Sequence, residues 1–320
     1  MLKHLRTALL GVFALGGSGL QAQAAQAIPS SAPAPVPAGL WSRMTGDITR
    51  MAEEVDGRVG VFIRGLDGGE TFTLRGDEVF PAASTIKLAV LLELYRQSQG
   101  GPGASGLPGL AEAHLLQVRD QAADSSILGH LAVGTRLTLR DLALFTVVVS
   151  DNSAANILID RVGMAPVNET LAKLGLGQTR LRRKMMDVQA AREGRENLTS
   201  PRDLAELLAA IHGGPLLNKA SRADLMGLLL TTKDGFLTRL LPESLPVANK
   251  PGTLPGVRNE VGIVFVKGRP FVMAVMASHL RDERQGEAAI ARIAQRAAAL
   301  FELLGAASPE GRILGPLQVR

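Results

Sequence analysis

The chain has 320 residues, 46% of them hydrophobic and 20% charged, with a formal net charge of +5 and no cysteine. That length buries a sizeable core in one large domain or two tightly packed lobes, and the balance is globular, not disordered. Aromatics are only 3% and the arginines are scattered, so nucleic acid is excluded as the expected partner; disulfides and a lipid-modified cysteine are excluded outright.

Lys3, His4 and Arg6 precede an apolar run from Ala8 to Leu15, and "QAQAAQA" follows. This is the pattern of a secretory leader over residues 1–27, cleaved after Ala24 or Ala27. The run is too short to cross a bilayer, so a bacterial protein is expected in the periplasm or outside the cell, with no membrane span after processing. Residues 28–39, "IPSSAPAPVPAG", read as an extended linker.

A helix is predicted from Trp41 to Val55. "RVGVFIRGL" and "ETFTLRG", separated by "DGG", predict a β-hairpin with Val59, Val61 and Ile63 on one face. A helix is expected to start within "FPAASTIKLAVLLELY", residues 80–95, and residues 100–109 read as a loop. Residues 110–229 look mostly helical: Thr138 and Asp141 form a capping-box pattern, and Ser200-Pro201 is an N-cap followed by a first-turn proline. Residues 181–198, "LRRKMMDVQAAREGRENL", read as a long surface loop. "VANKPGT", "EVGIVFVKG" and "PFVMAVMAS" have strand character, with "RNE" and "KGRP" as turns, and a last helix is expected from Glu287 to Leu304. This order predicts a sheet built from both chain ends, flanked by helices, beside a separate helical lobe, with chemistry in the cleft between them.

Three short motifs carry the functional reading. Ser84 and Lys87 stand one helical turn apart where the apolar run begins. Alone, this pair admits two readings: Ser84 caps the helix with Lys87 on its wet side, or Ser84 is a nucleophile that Lys87 deprotonates. Ser150-Asp151-Asn152 and Lys250-Pro251-Gly252-Thr253 follow at wide intervals. A serine hydroxyl needs an adjacent base. A lysine can serve if burial and a neighbouring positive charge lower its pKa, and Lys250 would supply that charge.

In order and spacing these motifs resemble the S-x-x-K, S-D-N and K-T-G set of class A β-lactamases and related penicillin-recognising acyl-serine enzymes, over about Trp41 to Leu304. The resemblance implies an α/β domain plus an all-α lobe: an antiparallel sheet flanked by helices (residues 40–81 and 229–306), packed on a helical domain (82–228), with a C-terminal tail from 307 to 320. It implies catalytic Ser84, Lys87, Ser150 and Lys250, and substrate contacts from Asn152, Gly252 and Thr253. The backbone N–H groups of Ser84 and Thr253 would form the oxyanion hole. A small β-lactam or acyl-D-Ala-D-Ala substrate is expected, on a monomer without metal or cofactor.

Two departures from the family pattern matter. Pro251 replaces the threonine whose hydroxyl helps hold the substrate carboxylate, a contact that Thr253 or Arg258 would have to supply. The glutamate that activates the deacylating water has no counterpart: counting from Arg183 reaches Met185, and counting back from Pro201 reaches Lys184. Asp187, Glu193 and Glu196 are the nearby carboxylates, each otherwise an ordinary solvated loop residue. An aromatic wall ahead of S-D-N is replaced by Ser125 or Ser126, and Tyr95 lies far along the first helix. His114, His130, His212 and His279 fit no metal-ligand spacing. Met185 and Met186 are expected to pack beneath the loop, and Asp160-Arg161 to form a helix-end ion pair. The alternatives are a D-Ala-D-Ala peptidase or esterase of the same fold, or a penicillin-binding sensor module without turnover.

Overall fold

The computed structural model describes residues 36–99, 109–231 and 233–319. The leader, most of the linker and most of the 100–109 loop lie outside the described residues.

Five strands form one antiparallel sheet. β1 (Arg58–Gly65) pairs with β2 (Thr71–Leu74) as the expected hairpin. Two further strand pairs are short: β3 (Phe80–Pro81) with β6 (Leu198–Thr199), and β4 (Ala113–Leu115) with β5 (Arg136–Thr138). The C-terminal part supplies β7 (Val247–Leu254), β8 (Val257–Val264) and β9 (Phe271–Ser278), and the sheet order is β2-β1-β9-β8-β7. Both chain ends thus build the sheet, and β7 is left as an edge.

Side chains alternate across this sheet with the two-residue period of extended chain. Val59, Val61, Ile63, Met273 and Val275 enter one core with helices α1 (Ala38–Glu53) and α9 (Glu283–Ala306). Phe62, Val261, Ile263, Ala274 and Met276 enter the other, which is shared with the intervening helices. These are α2 (Lys87–Ser98), α3 (Leu139–Val148), α4 (Asn152–Val162), α5 (Met164–Lys173), α6 (Val188–Arg192), α7 (Pro201–Gly213) and α8 (Lys219–Leu230). α2 is buried nearly all round, which explains why its sequence shows no wet face.

Local chemistry sets the boundaries. Thr138 and Asp141 exchange side-chain and backbone hydrogen bonds at the start of α3, and Ser200 Oγ accepts from Asp203 N with Pro201 in the first turn of α7; such caps contribute about 1 kcal/mol each.

Several expectations are corrected. Arg258-Asn259-Glu260 is not a turn but the start of β8; the reversal falls at Pro255-Gly256, where Gly256 takes φ +68. The first and last helices begin at Ala38 and Glu283. The 181–198 segment contains a short helix and ends in a strand. Asp160 and Arg161 do not pair, since successive helical side chains point about 100° apart: Asp160 binds Lys184 and Arg161 binds Glu112.

Candidate active site

Ser84 lies in a single 3-10 turn, Ala83–Ile86, that runs straight into α2. Neither helix start receives a side-chain cap hydrogen bond, and Lys87 is fully buried. The capping and wet-face readings of this pair are therefore ruled out. Spacing of three places both side chains on one side of the helix, and Ser84 opens into a cleft of about 1130 Å³. Among the described residues Ser84 Oγ makes no hydrogen bond, so the hydroxyl is free to turn toward Lys87, as often occurs before substrate tightens a site.

Ser150 is the junction of the site. Its carbonyl accepts from Lys87 Nζ at 2.6 Å, and its Oγ lies 3.2 Å from Lys87 Nζ and 3.0 Å from Lys250 Nζ. Asn152 Oδ1 accepts from Lys87 Nζ at 2.9 Å, while its Nδ2 donates to the Asp124 carbonyl. Asp151, between them, is fully buried and structural. One oxygen caps α4 at Ala154 N, and the other accepts from Ile127 N and Leu128 N. This fastens the S-D-N turn to the facing loop.

The pair of lysines is electrostatically unusual. Burial first, and the Lys250 charge second, push Lys87 well below an ordinary lysine, against the opposing pull of Asp151. Burial also lowers Lys250 to about 7, helped by the Lys233 ammonium and opposed by Glu260. A neutral Lys87 donates to Ser150 O and Asn152 Oδ1 and keeps a lone pair for a serine proton. That is the state a general base requires.

Thr253 and Gly252 lie where β7 passes the 3-10 turn. A Cβ on Gly252 would stand 3.0 Å from both Ser84 N and Thr85 N, so a larger residue would press on the backbone of the Ser84 turn, an approach that glycine makes without strain. Pro251 has no N–H and is tolerated because β7 is the edge strand. With period two, Thr253 N–H faces the same open edge as the proline nitrogen. Asn259 on β8 completes the mount: its Nδ2 donates to Pro81 O and Ala82 O, just ahead of Ser84.

Strain collects here. Six non-glycine residues have positive φ among those described, and four of them (Ala83, Asp124, Ser150 and Met186) line the cleft. Each costs about 1–3 kcal/mol and is retained where surrounding structure over-determines it.

Arg258 also lines the cleft, but its donors go to Glu283, Glu287 and the carbonyls of Leu254 and Val257. A substrate carboxylate there competes with two protein carboxylates. Sequence reasoning missed Arg239, which stacks over the Phe236 ring and pairs with Glu287 at the same wall. The deacylating side is equally plain. Met185 is nearly buried at the cleft, its N–H and C=O both held by the Asn156 amide. Asp187 caps α6, Glu193 is exposed beside Arg195, and Glu196 pairs with Arg183. Lys184 points to Asp160. Ser126 and Asp124 line the place of the aromatic wall, whereas Ser125 is buried against Ser153. Among the described residues no group of three His, Asp or Glu side chains is placed to hold a metal, and no helix is long and apolar enough to cross a membrane.

A helix-borne serine beside two depressed lysines, under an open strand edge, defines an acyl-serine hydrolase. The comparisons agree. The model of the β-lactamase enzyme family matches residues 43–301, and the chain belongs to that family. It is 29% identical to β-lactamase L2 of Stenotrophomonas maltophilia over 83% of this chain and 89% of the relative. A β-lactamase from Sphaerobacter thermophilus superposes with a TM-score of 0.75 at 35% identity, over 82% of this chain and 98% of that one. A PBP-A variant solved as an acyl-enzyme complex with penicillin G superposes with a TM-score of 0.73 at 26% identity, over 84% and 98%. The protein is thus a serine hydrolase of the class A type, with the antiparallel sheet and helical packing of that fold.

Proposed function

We propose that the enzyme acylates Ser84 rapidly with β-lactams and releases the product slowly. The observation that carries this reading is the contrast across one cleft: Ser84 and Ser150 line it, with Ser150 held between Lys87 and Lys250, while Met185, one of the two positions that the family pattern gives to the deacylating carboxylate, lines it as an apolar side chain. Neutral Lys87 takes the Ser84 proton as Oγ attacks the lactam carbonyl. The N–H groups of Ser84 and Thr253 receive the oxyanion, a contribution of about two to three powers of ten per donor. The C–N bond then breaks, and Ser150 passes a proton to the leaving nitrogen and recovers one from the lysines. What remains is a Ser84 ester; of the loop carboxylates Asp187, Glu193 and Glu196, Glu196 reaches the cleft and is paired with Arg183. The likeness to PBP-A captured with penicillin G supports a lasting ester. The leader pattern supports export, where both β-lactams and acyl-D-Ala-D-Ala peptides are met.

Mixing the mature protein with a chromogenic cephalosporin tests the contrast. A stoichiometric burst followed by slow turnover is expected; fast linear turnover from the first cycle would show that another group activates the water. A lack of any burst, with cleavage of D-Ala-D-Ala peptides, would favour the peptidase alternative.

The pH dependence of the burst follows from the two lysines. Acylation is lost as pH falls through the lowered pKa of Lys87, because only its neutral form takes a proton. It declines as pH rises through about 7, where Lys250 sheds its charge. A burst rate that climbs steadily to about pH 10, as for ordinary lysines, would contradict both shifts.

A further inference from the structure

A third lysine, half-buried, lies behind the first two, outside every motif. Lys233 follows α8, and its Nζ donates to Leu229 O at 2.6 Å, Thr231 O at 2.8 Å and Asn249 Oδ1 at 2.9 Å. Asn249, the neighbour of Lys250 on β7, turns its Nδ2 to Glu260 Oε1. Glu260 is fully buried on β8, and its other oxygen accepts from Phe236 N at 2.6 Å and Leu237 N at 2.9 Å. One ammonium therefore ties the end of α8, the 233–237 segment and two strands together. Lys233 also shares with Ser150 and Lys250 the lining of a second cavity, of about 430 Å³.

Resting on the function proposed above, we infer that Lys233 is a positioning residue of the acylation site: it engages Glu260 through Asn249 and keeps positive charge behind Lys250, so that Lys250 is not drawn into an ion pair with Glu260 and stays on Ser150 Oγ. Three lysines and one carboxylate share this region, with Asp151 beyond Lys87, and the charges act in a definite order. The Lys233 charge pushes Lys250 down and the Glu260 charge pulls it up; Lys250 in turn pushes Lys87 down. Lys233 itself is lowered to about 8, by burial first, against the pull of Glu260. Asp234, next in sequence, is almost wholly exposed and screened by water.

The direct readout is the titration of lysine Cε resonances in selectively ¹³C-labelled protein, with the Lys250 signal assigned by its loss in Lys250→Arg. Lys233→Met and Lys233→Gln should raise the Lys250 midpoint from about 7 by about one unit or more, since one like charge at close range is removed. Lys233→Arg should leave it in place. The Gln variant keeps a donor for the carbonyls, so it tests the charge even if Met weakens the fold. The alkaline limb of acylation should move up with the midpoint in Met and Gln alone. A Lys250 midpoint that stays put in the Gln variant, or moves equally in Arg, overturns the inference. If the unsubstituted protein formed no acyl-enzyme, the functional reading would fall, while the lysine titration would still decide the role of Lys233.

Discussion

Ser84→Ala should leave the fold intact and remove acylation by about five to six powers of ten, the scale of loss when a serine nucleophile acting within a unit is deleted. The side chain is only partly buried and makes no hydrogen bond among the described residues, so its removal leaves no orphaned partner and no cavity of consequence. The melting temperature should change little, since surface-facing truncations usually fall within about 0.5 kcal/mol. Lys87 is the opposite case. Its amine is buried and bonded to Ser150 and Asn152, so truncating it would mix lost chemistry with lost packing. Only Ser84→Ala separates the reacting group from the scaffold. A burst of normal size in that variant would end the nucleophile assignment.

The second large effect concerns release. Met185→Glu should raise the steady turnover of β-lactams by about two to four powers of ten, the range that a well-placed general base contributes. The backbone at this position is already pinned by Asn156, and the side chain faces the cleft, so a carboxylate would be delivered without rebuilding the loop. The expected cost is stability, because a nearly buried methionine gives way to a group that must be solvated or paired. Pre-steady-state kinetics locates the gain: the acylation burst should keep its rate while the slow phase accelerates. An unchanged slow phase, in a variant shown to be folded, would mean that something other than a missing base limits release.

How far the sequence anticipates this site depends on the kind of contact. Short-range patterns were readable because local physics enforces them. The Ser84–Lys87 spacing, the Thr138–Asp141 box and the alternation in β1 each follow from helix or strand geometry within a few residues. The cleft assembled from Ser84, Ser150 and Lys250 was anticipated only through resemblance, since residues 66 and 100 positions apart meet for reasons no window reveals. What stayed hidden was chiefly buried polar order. "RNE" read as a turn because polar triplets punctuate strands, yet Asn259 and Glu260 are buried to hold the Pro81–Ala82 carbonyls and the Asn249 amide. Lys233 belongs to none of the motifs that carried the sequence reading. Its three hydrogen bonds need the carbonyls of Leu229 and Thr231 at the end of α8 and the side chain of Asn249, and neither is visible as a pattern. The Asp160–Arg161 pairing failed on angle alone.

Lys184, Asp187, Glu193 and Glu196 sharpen the same lesson at the deacylating wall. Composition alone offers three carboxylates within thirteen residues of Arg183. The structure assigns each a partner, a cap or open solvent: at the cleft stand the apolar Met185 and Glu196, the latter bound to Arg183.

The most direct test of the whole account is the intact mass of the purified protein after brief exposure to penicillin G. The expected spectrum shows one added β-lactam, mapped to the peptide containing Ser84, persisting for many minutes and absent from Ser84→Ala. A protein that neither gains mass nor consumes the penicillin, or one that gains it equally without the Ser84 hydroxyl, would contradict the claim that this hydroxyl, deprotonated by an uncharged Lys87, opens the ring.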